Sequence, residues 1–483
     1  MISKLEPTLV WGFFDEITKI PRPSKKEEKI IAYLIDFAVK NSLEYKCDET
    51  GNVVIYKNAQ NSNSDETVIL QSHVDMVCEK NSDKVFNFDT DPIETYIEDG
   101  WVKANGTTLG ADCGIGMALT MAVLASNDIS HPKIEALFTV DEETGLTGAF
   151  GLSDDLLKGK YLINLDSEDE GELFVGCAGG IDTIAEYEFD YCTSDAPKTS
   201  LKLEIKGLKG GHSGDDINKG YANANILMAR FLIDLYETKD LSISDINGGN
   251  LRNAIPRECF AILNVDSSDV DYIKKAFADF EAVVKDEYHA TEDKISFETH
   301  CLGEKEMCEF ISQDIIKNLL KLVFLAPNGV QDMSFDLENL VETSTNLASI
   351  KINAAEKLIT VSSSQRSSVN SKKIYLSKVM KTLFESCGAK VIQSDGYPGW
   401  TPKMDSKLLD IFVKSYSRLF NVEAKVKAIH AGLECGLFLE KYPHLEMISV
   451  GPTLRRVHSP EEKIEISTVG MTWDLLAEVL KGL

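Results

Sequence analysis

The sequence lacks the features that would direct it to a membrane or to a nucleic acid. No apolar run reaches the roughly 18 consecutive residues that a membrane-spanning helix needs. The N-terminus has neither the basic nor the apolar segment of a signal peptide. Basic residues number only 50 against 77 acidic ones, so the formal charge is −27 and would repel nucleic acids and anionic lipids. We therefore expect a cytoplasmic protein that binds neither.

Paired cysteine motifs are also missing. The chain has 10 cysteines, but no two of them are spaced as Cys-x-x-Cys, the pattern of zinc ribbons and redox pairs. Reduced thiols are expected, which agrees with a cytoplasmic protein.

The length of the chain predicts more than one domain. A single hydrophobic core seldom serves 483 residues, and a hydrophobic fraction of 43% is enough for two cores. Strand, loop and helix patterns alternate up to about residue 186, whereas alternating strands and amphipathic helices follow. We predict an α/β domain built from residues 1–186 and 395–483, with an α+β domain inserted over residues 187–394.

Apolar runs typical of buried strands each end at acidic or histidine-containing segments. The runs cover residues 68–70, 134–140 and 161–165, and they lead to His73, to Asp141 and its neighbours, and to Asp166. Open α/β sheets bind ligands and catalyse reactions at the carboxyl ends of their strands. The repeated placement therefore predicts a functional site at that edge.

His73 and Asp75 are the first candidate pair. Residues two apart on an extended segment face the same side, so Asp75 can accept one ring N–H of a histidine whose other nitrogen binds a metal. A single His-x-Asp triplet is weak evidence of a metal site. Asp112, among the glycines of residues 109–116, can cap the buried helix predicted over residues 112–126, bind a ligand, or do both.

Three acidic residues follow the strand predicted over residues 134–140. Asp141-Glu142-Glu143 fits a solvated loop, but it also fits a site in which one carboxylate binds a cation and its neighbour takes a proton from water. Asp166 and His458 extend the set to two histidines and several acids. Imidazole and carboxylate ligands suit zinc.

In this order the motifs resemble those of the M20 family of metallopeptidases, and within it those of the aminoacyl-histidine dipeptidases. The M20 motifs correspond to Ser72-His73-Val74-Asp75, Gly110-Ala111-Asp112, Asp141-Glu142-Glu143-Thr144-Gly145, Asn164-Leu165-Asp166 and His458-Ser459-Pro460. The dipeptidase motifs correspond to residues 210–215, 251–256, 364–367 and 430–436. The resemblance covers nearly the whole chain and implies a di-zinc exopeptidase-type catalytic domain, with a mixed sheet and flanking helices, and an inserted lid.

The resemblance also implies the roles of the residues around the metals. Asp112 would bridge two Zn²⁺ ions, for which Co²⁺ or Mn²⁺ could substitute. The other ligands would be His73 and Asp166 at one ion, and Glu143 and His458 at the second. Glu142 would be the general base toward water activated by the two metals, and Asp75 would orient His73. The implied reaction is hydrolysis of short peptides, Xaa-His dipeptides above all.

The inserted lid is implied to bind the small peptide substrate. His212 would polarise the scissile carbonyl or stabilise the oxyanion, while Asn253, Arg366 and the backbone at Gly432 would bind the terminal carboxylate. Without the resemblance, His212 would be interpreted as an exposed loop histidine and Arg366 as a surface arginine. Members of the family often dimerise through the lid, so the resemblance implies a homodimer. Lid residues such as His212 and Arg366 must reach metals bound on the other domain, so we also expect a hinge to close over the substrate.

Two other functions stay open. An amidohydrolase of the same fold would remove an acyl group from an amino acid, and a non-catalytic protein would only bind the metals. Arg252-Asn253 and the motif at residues 430–436 favour the dipeptidase over the amidohydrolase. The presence of Glu142 argues against a protein that only binds metal.

Overall fold

The computed structural model describes residues 1–239 and 241–483, which form two compact units. The first unit comprises Met1–Gly176, Trp400–Ala428 and Leu433–Leu483, and the second comprises Cys177–Gly399 and Ile429–Gly432. Across the described residues, no helix has the length and apolar character needed to cross a membrane. Nor does any disulfide link cysteines in this part of the chain.

The α-helices follow in chain order. They are α1 Thr8–Ile17, α2 Glu28–Lys40, α3 Ala111–Ala125, α4 Glu142–Gly145, α5 Thr147–Gly151, α6 Ala224–Thr238, α7 Val270–Glu287, α8 Gln313–Leu325, α9 Asn370–Ser386, α10 Lys407–Phe420, α11 Cys435–Lys441 and α12 Ile466–Gly482.

The strands are numbered in the same way. They are β1 Glu44–Cys47, β2 Val53–Lys57, β3 Thr67–His73, β4 Thr95–Glu98, β5 Trp101–Ala104, β6 Lys133–Thr139, β7 Tyr161–Asn164, β8 Glu172–Cys177, β9 Gly179–Glu188, β10 Tyr191–Ser194, β11 Lys198–Lys206, β12 Gly211–His212, β13 Leu241–Gly248, β14 Ala254–Ile255, β15 Cys259–Val265, β16 Ser296–Lys305, β17 Cys308–Ile311, β18 Gly329–Met333, β19 Val341–Asn353, β20 Leu358–Ser367, β21 Lys390–Gln393, β22 Lys425–Ile429, β23 Glu446–Ser449, β24 Leu454–Arg455 and β25 Lys463–Glu465.

The first unit is built on a mixed sheet. Among the described residues its eight strands lie in the order β1-β2-β6-β3-β7-β23-β8-β22, and β6, β3, β7 and β23 run parallel to one another. Strands β3, β6 and β7 are buried along nearly their whole length, as expected for parallel strands covered on both faces. A smaller sheet has the order β24-β25-β5-β4.

The parallel strands end at one edge of this sheet. His73, the last residue of β3, pairs with Thr139 at the end of β6, and Gln71 pairs with Asn164 at the end of β7. The loops that leave these strands therefore start close together. The strands predicted over residues 68–70, 134–140 and 161–165 are present, and their order in the sheet explains why the acidic segments after them meet.

Helix α3 is buried nearly all round, as predicted, and it packs against α1 and β3. The capping role considered for Asp112 is wrong. Its backbone is not helical, with φ −83° and ψ 113°, and its side-chain oxygens contact His73 and His458 instead of the helix N–H groups. Asp112 thus lies in a non-helical stretch near the start of α3, and its side chain is directed at the two histidines.

The second unit has an antiparallel sheet on which helices α6 to α9 pack. The order is β16-β11-β15-β13-β19-β20-β9-β21, and β18 pairs with β19. Leu201, Leu203 and Ile205 of β11 are buried in the same apolar core as the helices, whereas Lys202 and Glu204 alternate with them on the other face. The strand predicted at residues 201–205 therefore covers the core with one face only.

Candidate metal centre and substrate-binding residues

Asp112 lies between two histidines from distant parts of the chain. Its Oδ1 is 3.2 Å from His73 Nε2, and its Oδ2 is 3.1 Å from His458 Nε2. His73 Nε2 is also 3.4 Å from Asp166 Oδ1, and His458 Nε2 is 3.0 Å from Glu143 Oε2. The five side chains expected to bind metal thus lie together in the first unit, in two groups that share Asp112.

The distances between these atoms fit a pair of divalent cations. Two ligand atoms bound to one tetrahedral Zn²⁺ ion at about 2.1 Å lie about 3.4 Å apart, and the four separations above run from 3.0 to 3.4 Å. Glu143 Oε1 and Asp166 Oδ1 are buried and accept no hydrogen bond. Buried carboxylate oxygens are costly without a positive partner, so this donor set suits cations.

The pKa shifts at the centre have the signs expected of a site that attracts positive charge. Burial raises the pKa of Asp166 to about 6, and the nearby charge of Asp112 acts in the same direction. Hydrogen bonds to Asp112 and Glu143 raise the pKa of His458 to about 11. The surroundings of Asp166 disfavour its negative charge and those of His458 favour a positive charge, so the centre favours the presence of a cation.

Asp75 connects the proposed ligand His73 to the segment that carries the acidic residues. Its Oδ1 is 3.3 Å from His73 Nδ1 and accepts the Glu142 N–H at 3.0 Å. Its Oδ2 accepts the Glu143 N–H at 3.2 Å and the Ser24 hydroxyl at 2.8 Å. Burial works against ionisation of Asp75, but these partners, His73 first, lower its pKa to about 2. Asp75 is therefore a stable acceptor that can orient the imidazole.

Glu142 begins the short helix α4, directly after β6. One of its carboxylate oxygens lies within 4.8 Å of a ring nitrogen of His73 and of a Glu143 oxygen. Burial raises the pKa of Glu142 well above its usual value, and the charges of Asp166 and Glu434 act in the same direction. A carboxyl group with a raised pKa can accept and release a proton near neutral pH.

Cys113 lies beside the proposed metal ligands, and its thiol is engaged in a hydrogen bond to the backbone. The Sγ lies within 4.8 Å of donor atoms of His73 and Asp166. It donates a hydrogen bond to Leu165 O at 3.2 Å, and burial raises the pKa of the thiol well above its usual value. A protonated thiol with its hydrogen already engaged is a poor metal ligand.

His212 is the last residue of the short strand β12 in the second unit, beside Asn253. Ser213 N donates to Asn253 O at 2.8 Å, which joins the two loops. The backbone N–H groups of Gly214 and Asp215 donate to His212 Nδ1 at 3.3 and 3.2 Å. Because Nδ1 accepts these bonds, the ring proton is assigned to Nε2.

Arg366 and Gly432 meet at Tyr397, also in the second unit. Arg366 Nη1 donates to the Tyr397 hydroxyl at 3.0 Å, while Arg366 Nε is buried and makes no hydrogen bond. A Cβ placed on Gly432 would lie 2.8 Å from the Tyr397 ring, so the ring packs directly on that backbone. Arg366 is only 8% exposed, and the interpretation as a surface arginine is wrong.

Sequence reasoning missed three residues around these groups. Tyr397 lies in Gly396-Tyr397-Pro398-Gly399, a stretch that looks like a turn and gives no sign of its contact with Arg366. Arg22 and Glu462 are buried and bind the backbone beside Asp112. The one sequence feature that could have pointed to Glu462 is its position four residues after His458.

A model of the peptidase family M20/M25/M40 matches residues 69–482, which is most of the chain. The chain belongs to this family. It is therefore a metallopeptidase, a hydrolase of peptide bonds, and the family and reaction class predicted from the sequence are confirmed.

Two relatives resemble the chain over its full length. The cytosol non-specific dipeptidase of Escherichia coli (strain K12) is 41% identical over 482 residues, which cover 99% of this chain and 98% of that protein. The crystal structure of an aminoacylhistidine dipeptidase from Vibrio alginolyticus gives a TM-score of 0.92 at 41% identity, covering 100% of this chain and 98% of that one. This similarity confirms the predicted α/β fold with its mixed sheet.

A more distant structure shares the fold. A tripeptidase from Staphylococcus aureus gives a TM-score of 0.57 at 16% identity and covers 99% of this chain and 98% of that one. At this identity the likeness shows the fold alone.

Proposed function

We propose that this metallopeptidase is a dipeptidase that cleaves Xaa-His and other dipeptides with a pair of Zn²⁺ ions. The observation that carries the proposal is the position of Asp112, whose two oxygens are directed at His73 and at His458. One carboxylate shared between two imidazole groups is the arrangement that a two-metal hydrolase needs. The names of the two full-length relatives, a dipeptidase in each case, support the substrate class.

The chain's own residues divide into two ligand sets. His73 and Asp166 would hold one ion, Glu143 and His458 would hold the other, and Asp112 would contact both. Bound there, the two cations would supply Lewis-acid chemistry, which polarises a carbonyl and lowers the pKa of water. By holding Nδ1 of His73, Asp75 would leave Nε2 oriented to hold a metal ion.

Glu142 moves the proton in this proposal. It takes the proton from the attacking water and gives it to the amine that leaves. Its raised pKa and its position next to Glu143 support this role. One carboxyl group can perform both steps, because it becomes a carboxylate again when it gives the proton to the amine.

His212 is the proposed donor to the oxyanion. Its Nδ1 accepts two backbone N–H bonds, so its Nε2–H is available to an oxygen that becomes negative. One donor of this kind is typically worth about 3 kcal/mol in the transition state.

Arg366, Asn253 and the backbone at Gly432 are the proposed groups that bind the terminal carboxylate. Arg366 Nε makes no hydrogen bond, and Tyr397 holds the guanidinium at Nη1. A guanidinium can bind a carboxylate through two parallel bonds. Capture of that carboxylate would limit the enzyme to short peptides, because a longer chain has no carboxylate at this position. In this proposal the second unit is the substrate-binding lid domain.

Location and assembly complete the proposal. We propose that the enzyme acts in the cytosol, the compartment named for its relative from Escherichia coli. The homodimer expected from the family resemblance would be tested by sedimentation equilibrium of the full chain.

A dipeptide panel on metal-depleted protein tests the proposed function. The chelated enzyme would receive Zn²⁺, Co²⁺ or Mn²⁺ in turn and be assayed with Xaa-His dipeptides, other dipeptides, tripeptides, dipeptide amides and N-acetyl amino acids. We expect metal-dependent hydrolysis of dipeptides, with much slower turnover of amides and tripeptides. Faster turnover of N-acetyl amino acids would indicate an amidohydrolase, and no turnover with any metal would indicate a protein that only binds metal.

A further inference from the structure

We propose that Arg22 and Glu462 are positioning residues that hold the backbone of residues 109–112, here called the Asp112 loop, and so set the spacing of the metal-binding atoms. Both side chains are buried and carry opposite charges, with exposures of 1% and 2%. The inference rests on the proposed function, since it assumes that Asp112 binds metal.

Glu462 accepts hydrogen bonds from four successive N–H groups of the Asp112 loop. Its Oε2 lies 2.7 Å from Leu109 N and 3.0 Å from Gly110 N, and its Oε1 lies 2.8 Å from Ala111 N and 3.4 Å from Asp112 N. Buried N–H groups outside regular structure need partners, and here one carboxylate supplies them all. The position of the Asp112 backbone therefore depends on this side chain.

Arg22 binds carbonyl groups on two chain segments at once. Its Nη2 donates to Gly110 O in the Asp112 loop. Its Nη1 donates to Val74 O at 2.9 Å and to Asp75 O at 2.7 Å, on the segment that follows the ligand His73. The planar guanidinium thus joins the backbone beside one proposed ligand to the backbone beside another.

The glycines of this motif make room for the guanidinium. A Cβ on Gly110 would lie 2.5 Å from Arg22 Nη2, and one on Gly114 would lie 2.7 Å from the same atom. Gly110 also has a φ of 69°, which side chains disfavour. In the structure the group that approaches the backbone at these glycines is the Arg22 guanidinium.

Together these contacts join three distant parts of the sequence. Glu462 lies four residues after His458, and its backbone N–H closes a turn with Ser459 O at 3.0 Å. Arg22 anchors the segment after His73 to the loop that carries Asp112. Three of the proposed ligands are thus tied through the backbone, apart from any contact between their side chains.

The spacing of the metal-binding atoms should therefore change when either side chain is altered. Replacement of Glu462 by Gln puts an amide N–H₂ against backbone N–H groups, so at least part of the loop loses its acceptor. Replacement of Arg22 by Lys keeps the charge, but a single ammonium lacks the fork that reaches both segments. Loss of a group that orients ligands typically lowers metal affinity about 10- to 100-fold.

Glu135 offers a matched control in the same unit. It is buried, and its Oε2 accepts the backbone N–H groups of Lys158 and Gly159 at 2.8 and 2.9 Å. E135Q therefore removes a buried carboxylate that binds backbone N–H groups. Unlike Glu462, Glu135 is not one of the residues that bind the Asp112 loop. A general loss of stability would affect it as much as E462Q.

The test measures metal binding by the metal-free full chain and requires no turnover. Wild type, E462Q, R22K and E135Q would be titrated with Zn²⁺ by calorimetry in the presence of a competing chelator. The visible spectrum of the Co²⁺ form would report the geometry around the metal, and urea unfolding of the metal-free form would report stability. We expect E462Q and R22K to bind Zn²⁺ about 10- to 100-fold more weakly with an altered Co²⁺ spectrum. E135Q should keep the wild-type affinity and spectrum.

Wild-type affinity and spectrum in folded E462Q and R22K would overturn the inference, as would an equal loss in E135Q. If circular dichroism shows that E462Q does not fold, the Zn²⁺ titrations of R22K and E462D decide the question. Both variants keep the charge of the residue that they replace. A wild-type chain that binds no metal would contradict the proposed function itself, so the two failures are distinguishable.

Discussion

Asp75 links a proposed metal ligand to the proposed base. Its Oδ1 lies 3.3 Å from His73 Nδ1 and accepts the Glu142 N–H, while its Oδ2 accepts the Glu143 N–H. One side chain thus orients the imidazole and also holds the start of helix α4. A shift of either segment would disturb the other, so ligand and base are positioned together.

Glu142→Gln should separate catalysis from metal binding. Gln cannot accept the proton from water, so kcat should fall about 10²- to 10⁴-fold. Metal content should stay near the wild-type value because Glu142 is not among the proposed ligands. The matched variant is Glu143→Gln, which should lose metal because Glu143 Oε2 lies 3.0 Å from His458 Nε2. Metal analysis and steady-state kinetics on both variants check this, and an active E142Q enzyme would contradict the proposed base.

Arg366→Lys should weaken the binding of dipeptides specifically. The charge remains, but the paired hydrogen bonds to a carboxylate are lost, and a charge-assisted bond is worth about 1.5–3 kcal/mol. KM for dipeptides should therefore rise about 10-fold or more, while the slow reaction of dipeptide amides should change little. Arg230, paired with Glu287 on the surface of the same unit, provides the control R230K. An equal rise in KM for amides would indicate a structural role.

The residues of the proposed metal centre, whose side chains lie together in the structure, were named from the sequence, whereas those that hold its backbone were not. His73, Asp112 and His458 are residue types that bind metal, and they occur in motifs. Arg22 and Glu462 bind backbone N–H and C=O groups, which every residue has. The sequence therefore does not show which of these groups they bind. Their contacts exist only after the chain has folded.

At the scale of elements, the acidic segment after β6 depends on a close contact with Asn52. The Asn52 side chain accepts the Val140 N–H at 3.2 Å and donates to Gly148 O at 2.9 Å. It thereby connects the end of the strand to helix α5, on the far side of Glu142 and Glu143. The strand was predictable from its apolar run, but this bridge was not, because Asn52 precedes a different strand.

Gly148→Ala should disturb this element. A Cβ there would lie 2.5 Å from Val140 O and 2.6 Å from Asn52 Oδ1, too close for either to remain in place. Such crowding typically costs about 1–3 kcal/mol, and the displaced helices should also lower metal affinity. Gly12→Ala in helix α1 is the control, since a Cβ there meets nothing within 4 Å and should be neutral or stabilising. Urea unfolding and Zn²⁺ titration measure both effects, and a G148A protein as stable as wild type would refute the argument.

At the scale of the whole molecule, the first unit is made from both ends of the chain. His458 lies 346 residues from Asp112 in sequence, yet their side chains are 3.1 Å apart. The motifs predicted a set of residues whose side chains lie together in the structure, and the parallel order of β6, β3 and β7 explains how three of the segments meet. The position of His458 follows from the packing of the C-terminal segment, for which no local pattern in the sequence gives a distance.

Metal removal should therefore destabilise the first unit and leave the second nearly unchanged. The centre buries Asp112, Asp166 and Glu143 close together, and without cations their mutual repulsion favours unfolding. Metal present at about 100 times its dissociation constant adds about 2.7 kcal/mol for each site that binds only the folded state. Chelation should lower the unfolding midpoint, and hydrogen exchange should rise in residues 1–176 and 433–483 but hardly at all in residues 180–239 and 241–395.

Asp112→Asn should abolish the dependence of the midpoint on metal, whereas the exposed Asp410→Asn in the same unit should retain it in full. A wild-type midpoint that ignores chelation would mean that the carboxylates are held together by the protein alone.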